Sequence, residues 1–274
     1  MTNDYTNLIT ETSIMQTTNC KKNVEDRNIF YEEINIIKST QNFKAGKYVT
    51  IFNKADLFPN CVNAKKLTAV LKKILQTFVP NAVKKILVIG LGNENMVVDS
   101  LGSAVVSNLK VGKSKKCEIF AFCPSVVTQT GVESYDLVKA IVKIKKPDLI
   151  IAIDSLATNN LDKIAKCVQI TNSGIQPGGG IKNPKRWLDK KNLGVNVVSI
   201  GIPLLIRSEV IINKIFLNLL QKIKGGSIDS IYTAFNQKNA FSGLENTIFT
   251  KKGIDFIVVE CGKIIADTLN AMFF

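Results

Sequence analysis

Two aspartates stand next to apolar, strand-like runs in a chain that contains no histidine. Asp99 lies in Gly90-Leu91-Gly92-Asn93-Glu94-Asn95-Met96-Val97-Val98-Asp99-Ser100-Leu101-Gly102, and Asp154 in Leu149-Ile150-Ile151-Ala152-Ile153-Asp154-Ser155-Leu156-Ala157. Without imidazole there is neither a Ser-His or Cys-His nucleophile nor a histidine-bearing zinc centre, so hydrolytic chemistry falls to carboxylates, lysines or hydroxyls. Two carboxyls within several ångströms of each other cannot both ionise easily: one keeps a proton and the other is a base. That division suits peptide hydrolysis, with one group activating water and the other protonating the carbonyl oxygen or departing amine. For Asp99 the competing expectation is plain helix capping, since its carboxylate would meet the unpaired N–H groups of a helix start.

Other loops supply supporting candidates. Gly92 and Asn93 form the turn before Asp99, and Thr130, Gly131 and Glu133 belong to a loop between a strand and a helix, where Glu133 has capping as its alternative role. Gly178, Gly179 and Gly180 sit in a glycine-rich stretch, 171–184, whose backbone can approach an extended peptide or an oxyanion, or act as a simple flexible turn. Gly90-x-Gly92 has a superficial likeness to a dinucleotide fingerprint, but Asn95 occupies the third glycine position and no acidic residue follows at the right interval. No cofactor is expected. Six scattered cysteines without a Cys-x-x-Cys pair predict neither a metal site nor a disulfide framework.

These residues need a scaffold, and 274 residues with 46% hydrophobic content can bury a sizeable core. Residues 1–27 lack periodicity and read as an extended or mobile leader; residues 28–274 read as a single α/β domain with a small β-rich subregion about 28–60. Strands are predicted over Glu33–Lys38, Gly46–Phe52, Lys85–Ile89, Cys117–Phe122, Asp148–Ile153, Cys167–Ile170 and Val195–Ile200. Helices are predicted over Ala64–Phe78, capped by Asn63, from about Leu101 to Leu109, and over Ser134–Lys145, Ser208–Ile223 and Ile254–Met272. Residues 224–243 read as a surface loop. The alternation implies an α/β fold, a mostly parallel central sheet flanked by helices, with a small N-terminal β layer. In such a sheet the carboxyl ends of the strands form the ligand rim, and both aspartates fall there.

The net charge of +14 rests on lysine, with arginine confined to Arg27, Arg186 and Arg207. A solvated lysine-rich surface is placed ahead of nucleic-acid binding, because the charges are spread along the chain and arginine forks are lacking. The longest strongly apolar stretch, Leu193–Ile206, is broken by Asn196 and Pro203 and is too short to span a bilayer. No membrane segment or secretory signal is readable, and a cytoplasmic location is expected.

Taken together the motifs resemble the spore germination protease family. The resemblance is carried by Lys44-Ala45-Gly46-Lys47-Tyr48-Val49-Thr50-Ile51, the Gly-Leu-Gly-Asn loop with Asp99-Ser100-Leu101-Gly102, Gln129-Thr130-Gly131-Val132-Glu133, Lys146–Ala157, Ser173–Gly180 and Ile200-Gly201-Ile202-Pro203. Tyr5–Ile9 is similar to the start of the mature family enzyme, and Thr250–Asp255 to its C-terminal helix entry. The resemblance implies a fold similar to hydrogenase-maturation endopeptidases, a homotetramer, and an aspartic-type endopeptidase in which the positions of Asp99 and Asp154 are the catalytic pair. It implies small acid-soluble spore proteins as substrates, a zymogen with an N-terminal pro-segment, and a place in the forespore or spore core. Only Met1 to Asp4 precede the matching start, so autoprocessing is expected to differ. Val98 stands where the family has proline, Asn7 and Asn172 where aspartates are usual, and the stretch between Asn108 and Cys117 is shorter. The alternative to an active endopeptidase is an impaired paralogue that binds peptide or spore protein without cutting it.

Overall fold

The computed structural model describes residues 6–11, 17–25, 28–40, 43–54, 61–178, 186–222 and 247–274. Its strands are β1 (Thr17–Val24), β2 (Ile29–Ile36), β3 (Gly46–Asn53), β4 (Lys85–Gly90), β5 (Gly112–Lys113), β6 (Glu118–Phe122), β7 (Leu149–Ala157), β8 (Cys167–Thr171), β9 (Asn196–Arg207) and β10 (Ile248–Phe249). The helices are α1 (Cys61–Gln76), α2 (Leu101–Asn108), α3 (Val127–Thr130), α4 (Ser134–Lys145), α5 (Lys190–Leu193), α6 (Ser208–Lys222) and α7 (Ile254–Phe273). The strands form one sheet in the order β1-β2-β3-β8-β9-β7-β4-β6-β5, with β10 added beside β9.

The fold is α/β, and the sheet is mixed. Parallel pairing joins β9, β7, β4 and β6, the strands separated by helices. These strands have to bury both faces, and β4 after Lys85 and most of β7 are correspondingly apolar at every position. The N-terminal β-rich region is the antiparallel flank of that same sheet, β1-β2-β3-β8, which meets the parallel part at β8–β9.

One face of the sheet carries α1, α2 and α7. Leu67, Leu71 and Leu75 of α1 and Val258, Cys261, Ile265 and Leu269 of α7 pack there with Val88, Ile151, Val198 and Ile170. On the other face α4 covers only the parallel side, through Tyr135, Val138 and Val142 against Leu87, Ile89 and Ile150. Over the antiparallel side of this face lies the short segment Thr6–Glu11, with Leu8 on Leu156 and Cys167 and Ile9 on Ile34, Phe43 and Tyr48.

That segment and β1 correct the reading of 1–27 as a leader. Ile9 N–H donates to Gln169 Oε1 (2.8 Å), Gln169 Nε2 donates to Asn7 O (2.9 Å), and Leu8 is fully buried. β1 is held as an edge strand by its ladder to β2, with Lys22 opposite Glu32. Main-chain pairing and side-chain brackets of this kind leave no hydrophobic period to read. Elsewhere the differences are of extent: the first predicted strand is shifted to Ile29–Ile36, α1 begins at Cys61 ahead of Asn63, and β7 and β9 run several residues beyond their predicted ends because each is the other's parallel partner up to Ala157 and Leu205. The predicted loop 224–243 lies outside the described residues.

Candidate active site

The cavity arises where the two coverings of the second face fail to meet. Its volume is about 660 Å³; its floor is the sheet, one wall is Thr6 and Asn7, another the start of α4 with the loop before it, and Gly174–Gly178 and Trp187 close a third side. Register places Asp154, Gly201 and Gln169 in a row across the floor, continued in the sheet by Thr50, with Ser199, Thr171 and Tyr48 in the neighbouring row.

Asp99 and Asp154 both line this cavity. Asp154 was expected at the exit of its strand; it sits inside β7, opposite Gly201, because pairing with β9 extends β7 to Ala157. The residue is 8% exposed, and the Ser155 N–H donates to Oδ1 (2.9 Å). Asp99 reaches the same place from the end of the adjacent strand: Gly90 of β4 pairs with Ile153, Leu91 N–H donates to Ile153 O (2.8 Å), and the chain turns through Gly92 into a 3-10 turn, Val97–Asp99.

Glycines make this turn possible. Gly92 has φ +101°, and a Cβ there would lie 2.0 Å from the Asp99 carbonyl oxygen. Gly90 and Gly102 pack backbone to backbone, a Cβ on either falling within about 2.5 Å of the other segment, so the first turn of α2 sits directly on the end of β4. The Asp99 carboxylate accepts from Asn93 N–H (2.8 Å), and the residue flanking α2 is Ser100, without a side-chain cap. Asp99 therefore braces the Gly-Leu-Gly-Asn loop instead of capping the helix.

Both carboxyls are driven toward their neutral forms. Burial raises Asp99 to about 6, partly opposed by the Asn93 N–H bond. Burial raises Asp154 well above the carboxylate range, and the negative charge of Asp99 raises it further. The two titrate as a coupled pair in which Asp99, the less enclosed group, ionises first.

The remaining candidates separate into those at the cavity and those beside it. Gly92, Asn93, Glu133 and Gly178 line it. The Asn93 side chain accepts from Gln129 Nε2 (2.9 Å) and from Asn95 N–H (3.0 Å), tying the Asp99 loop to α3. Glu133 is exposed, flanks α4 and makes no side-chain cap bond to it. Thr130 and Gly131 are placed away from the cavity wall: the Thr130 hydroxyl bonds Val126 O and Val132 O, and Gly131 ends α3 in the left-handed region, so both shape the loop. Gly179 and Gly180 lie outside the described residues.

The antiparallel wall carries residues that no motif singles out. Tyr48, Gln169, Thr171, Ser199, Trp187 and Arg207 all line the cavity. Trp187 is set by Lys44, whose Nζ lies 4.6 Å from its ring centroid while pairing with buried Asp189. Ser173 Oγ donates to Tyr48 Oη (2.6 Å), which donates to Lys44 O (2.9 Å), and burial pushes the Tyr48 phenol up. Arg207 pairs with Glu209 (3.0 Å) at the upper end. Gln169 and Thr171 alternating within a fully buried strand, Cys-Val-Gln-Ile-Thr, were the available signal: polar side chains at period two inside a core point to a lined cavity.

Among the described residues no group of three or more cysteines, aspartates or glutamates is placed to hold a metal, and no helix is long and apolar enough to cross a membrane. Cys117, Cys167 and Cys261 are buried free thiols.

Comparison with known proteins adds the family. The family model described as germination protease matches residues 6–229. The germination protease of Caldanaerobacter subterraneus subsp. tengcongensis is 29% identical over 252 residues, 82% of this chain and 77% of that protein. That of Clostridium perfringens strain SM101 is 31% identical over 216 residues, 67% and 64% of the two chains, and that of Bacillus subtilis strain 168 is 34% identical over 175 residues, 58% and 48%. The chain thus spans between about half and three-quarters of the length of these relatives. Among solved structures, the [NiFe] hydrogenase maturation protease HycI of Thermococcus kodakarensis superposes with a TM-score of 0.39 at 17% identity, covering 73% of this chain and 98% of that one. With its family model running from Thr6 through α6, the chain belongs to the germination protease family, a family of peptidases.

Proposed function

We propose that the protein is an endopeptidase in which Asp99 and Asp154 share one proton and hydrolyse a peptide bond between them. The observation that carries this reading is the meeting of two carboxyls, one inside β7 and one on the turn that follows β4, in one cavity, each raised by burial and one raised further by the other's charge.

In the resting pair Asp99 is the carboxylate and Asp154 the acid. Asp99 takes a proton from water as the oxygen attacks the scissile carbonyl carbon, and Asp154 gives its proton to the carbonyl oxygen, producing a neutral gem-diol. On collapse the proton now on Asp99 passes to the departing amine nitrogen, and a gem-diol hydroxyl returns its proton to Asp154. The starting protonation is restored. The Asn93 and Ser155 N–H groups hold one oxygen of each carboxyl, which leaves the other to face the substrate.

Family membership and the resemblance of the motifs favour small acid-soluble spore proteins as substrates, an aspartic-type mechanism, a homotetrameric assembly and the cytoplasm of the forespore or spore core as the place of action. The intact pair favours cleavage over a binder that does not cut. Incubating a purified small acid-soluble spore protein with wild-type and Asp154→Asn enzyme tests this: wild type is expected to release fragments, and the variant, folded by circular dichroism, to release none. Fragments at the wild-type rate from Asp154→Asn overturn the assignment.

A further inference from the structure

The end of the sheet opposite the cavity has a character of its own. Parallel strands start on a common edge, and the chain enters three of them through lysines: Lys84 and Lys85 at β4, Lys115 and Lys116 before β6, and Lys143, Lys145 and Lys146 at the end of α4 before β7. Register brings these entries side by side, with Lys85 opposite Glu118 and Ile86 opposite Leu149. Neighbouring β5 adds Lys113, also opposite Glu118, and Lys110 just before it. All of these lysines are exposed.

Little negative charge offsets them. The edge carries Glu118 and Asp148, and Asp148 Oδ2 is already engaged by the N–H groups of Lys84 (2.9 Å) and Lys85 (2.8 Å). Among the described residues none of these lysines is in an ion pair. Lys145 instead lies 4.6 Å from the Phe120 ring centroid, which draws the end of α4 toward β6.

We infer that this edge is a docking surface for double-stranded nucleic acid, held through its phosphates. Four adjacent strands span three spacings of about 4.8 Å, roughly 14 Å; along that length a duplex presents about eight phosphate charges. Lysine serves as a point charge for phosphate, and among the described residues no arginine lies on this edge to supply a fork for reading bases, so recognition is independent of sequence. Single strands are gripped by stacking on successive aromatic rings, whereas the large hydrophobic side chains exposed here are Val111, Ile144 and, at the end of α7 beside Lys116, the single ring of Phe274. The catalytic pair lies at the far end of β4 and β7, roughly 20 Å away at about 3.3 Å per residue. A bound duplex therefore leaves the cavity open, and this inference does not depend on the peptidase reading.

Fluorescence anisotropy of a labelled DNA duplex of arbitrary sequence, with the full chain and salt varied between about 50 and 200 mM, tests it. Wild type is expected to bind with an affinity that falls steeply with salt. K84E/K115E/K143E is expected to bind at least about tenfold more weakly and to flatten the log–log salt slope by about 2 to 3. K54E/K65E/K252E, the same charge change at the other end of the molecule, is expected to do markedly less. K110E/K113E, confined to the β5 side, should reproduce the loss in part, so that misfolding of one variant does not decide the matter. Cleavage of a spore protein by K84E/K115E/K143E is expected to match wild type, which separates this question from the catalytic one. No binding by wild type at low salt, equal losses in the two triple variants, or displacement of the duplex by polyglutamate as readily as by unlabelled DNA of equal charge would overturn the inference, the last in favour of an acidic peptide.

Discussion

The two halves of the sheet bury their second face in different ways. On the parallel side β4 and β7 present Leu87, Ile89, Ile150 and Ala152 to α4, and the first departure from apolar chemistry is Asp154. On the antiparallel side β3, β8 and β9 present Tyr48, Thr50, Gln169, Thr171 and Ser199 to a covering six-residue segment and to empty space. A helix packs apolar surface efficiently and leaves one titratable group in a dry setting; a short irregular segment has to be held by hydrogen bonds, which calls for polar side chains. The seam between the two regimes is the cavity, so one side supplies groups with perturbed protonation and the other supplies groups that position.

The sharpest test of this division is to remove chemistry from the parallel side. Asp154→Asn is expected to lower kcat/KM for a spore-protein substrate by roughly 10²–10⁴-fold. The wild-type profile of kcat/KM against pH should rise through an acidic limb near 6, where Asp99 becomes a base, and fall again once Asp154 loses its proton. Gly92→Ala attacks the same half through the backbone: a side chain at φ +101°, 2.0 Å from the Asp99 carbonyl oxygen, forces the loop to move. Activity should drop at least about tenfold and stability by about 1–3 kcal/mol, measured by urea unfolding alongside the cleavage assay.

Stability against pH gives a prediction of opposite sign. Asp99 is raised from 3.8 to about 6 in the folded chain, so between those values the folded state holds more protons than the unfolded state. The favourable contribution of neutral Asp99 is complete below pH 3.8 and is lost as pH rises through about 6; the corresponding loss for Asp154, raised further, runs on to higher pH. Replacing Asp154 removes one source of that loss, so Asp154→Asn should be more stable than wild type at pH 7 and nearly equal to it at pH 4. Equal stabilities at pH 7 would contradict the raised proton affinity of Asp154.

Changes on the antiparallel side should act on structure. Gln169→Ala removes the bonds to Ile9 N–H and Asn7 O and is expected to cost about 1–2 kcal/mol, with segment 6–11 exchanging amide hydrogens faster than α4. The smallest effect belongs to Ser199→Ala: its buried Oγ has no hydrogen-bond partner among the described residues, so thermal unfolding should move within the equivalent of about 0.5 kcal/mol in either direction. A large loss in either variant's catalytic rate with unchanged stability would show that this side takes part in chemistry, and the contrast would fail.

The same contrast governs what could be read from residues alone. α4 is found at its predicted bounds, Ser134–Lys145, because its apolar stripe, its basic last turn and Pro147 all mark it. β4 and the core of β7 are equally legible as short apolar runs. Segment 6–11 and β1 were not, since nothing local distinguishes a segment bracketed by Gln169, or an edge strand paired with β2, from a free one. Trp187 was passed over for a related reason: its place depends on Lys44, which lies more than a hundred residues away, meeting Asp189. Charge followed the same rule, for lysines dispersed between residues 84 and 146 become one edge only when parallel register aligns the strand entries.

Residue types by themselves determined which chemistry was open to this chain and which segments would be helix or strand, because the absence of histidine and the period of apolar residues are local facts. Only the tertiary structure decided that Asp99 and Asp154 share a cavity, that Asp99 braces a loop instead of capping a helix, and how far each is raised. Proton affinity depends on distance to water and to other charges, and both are set by which strands lie side by side.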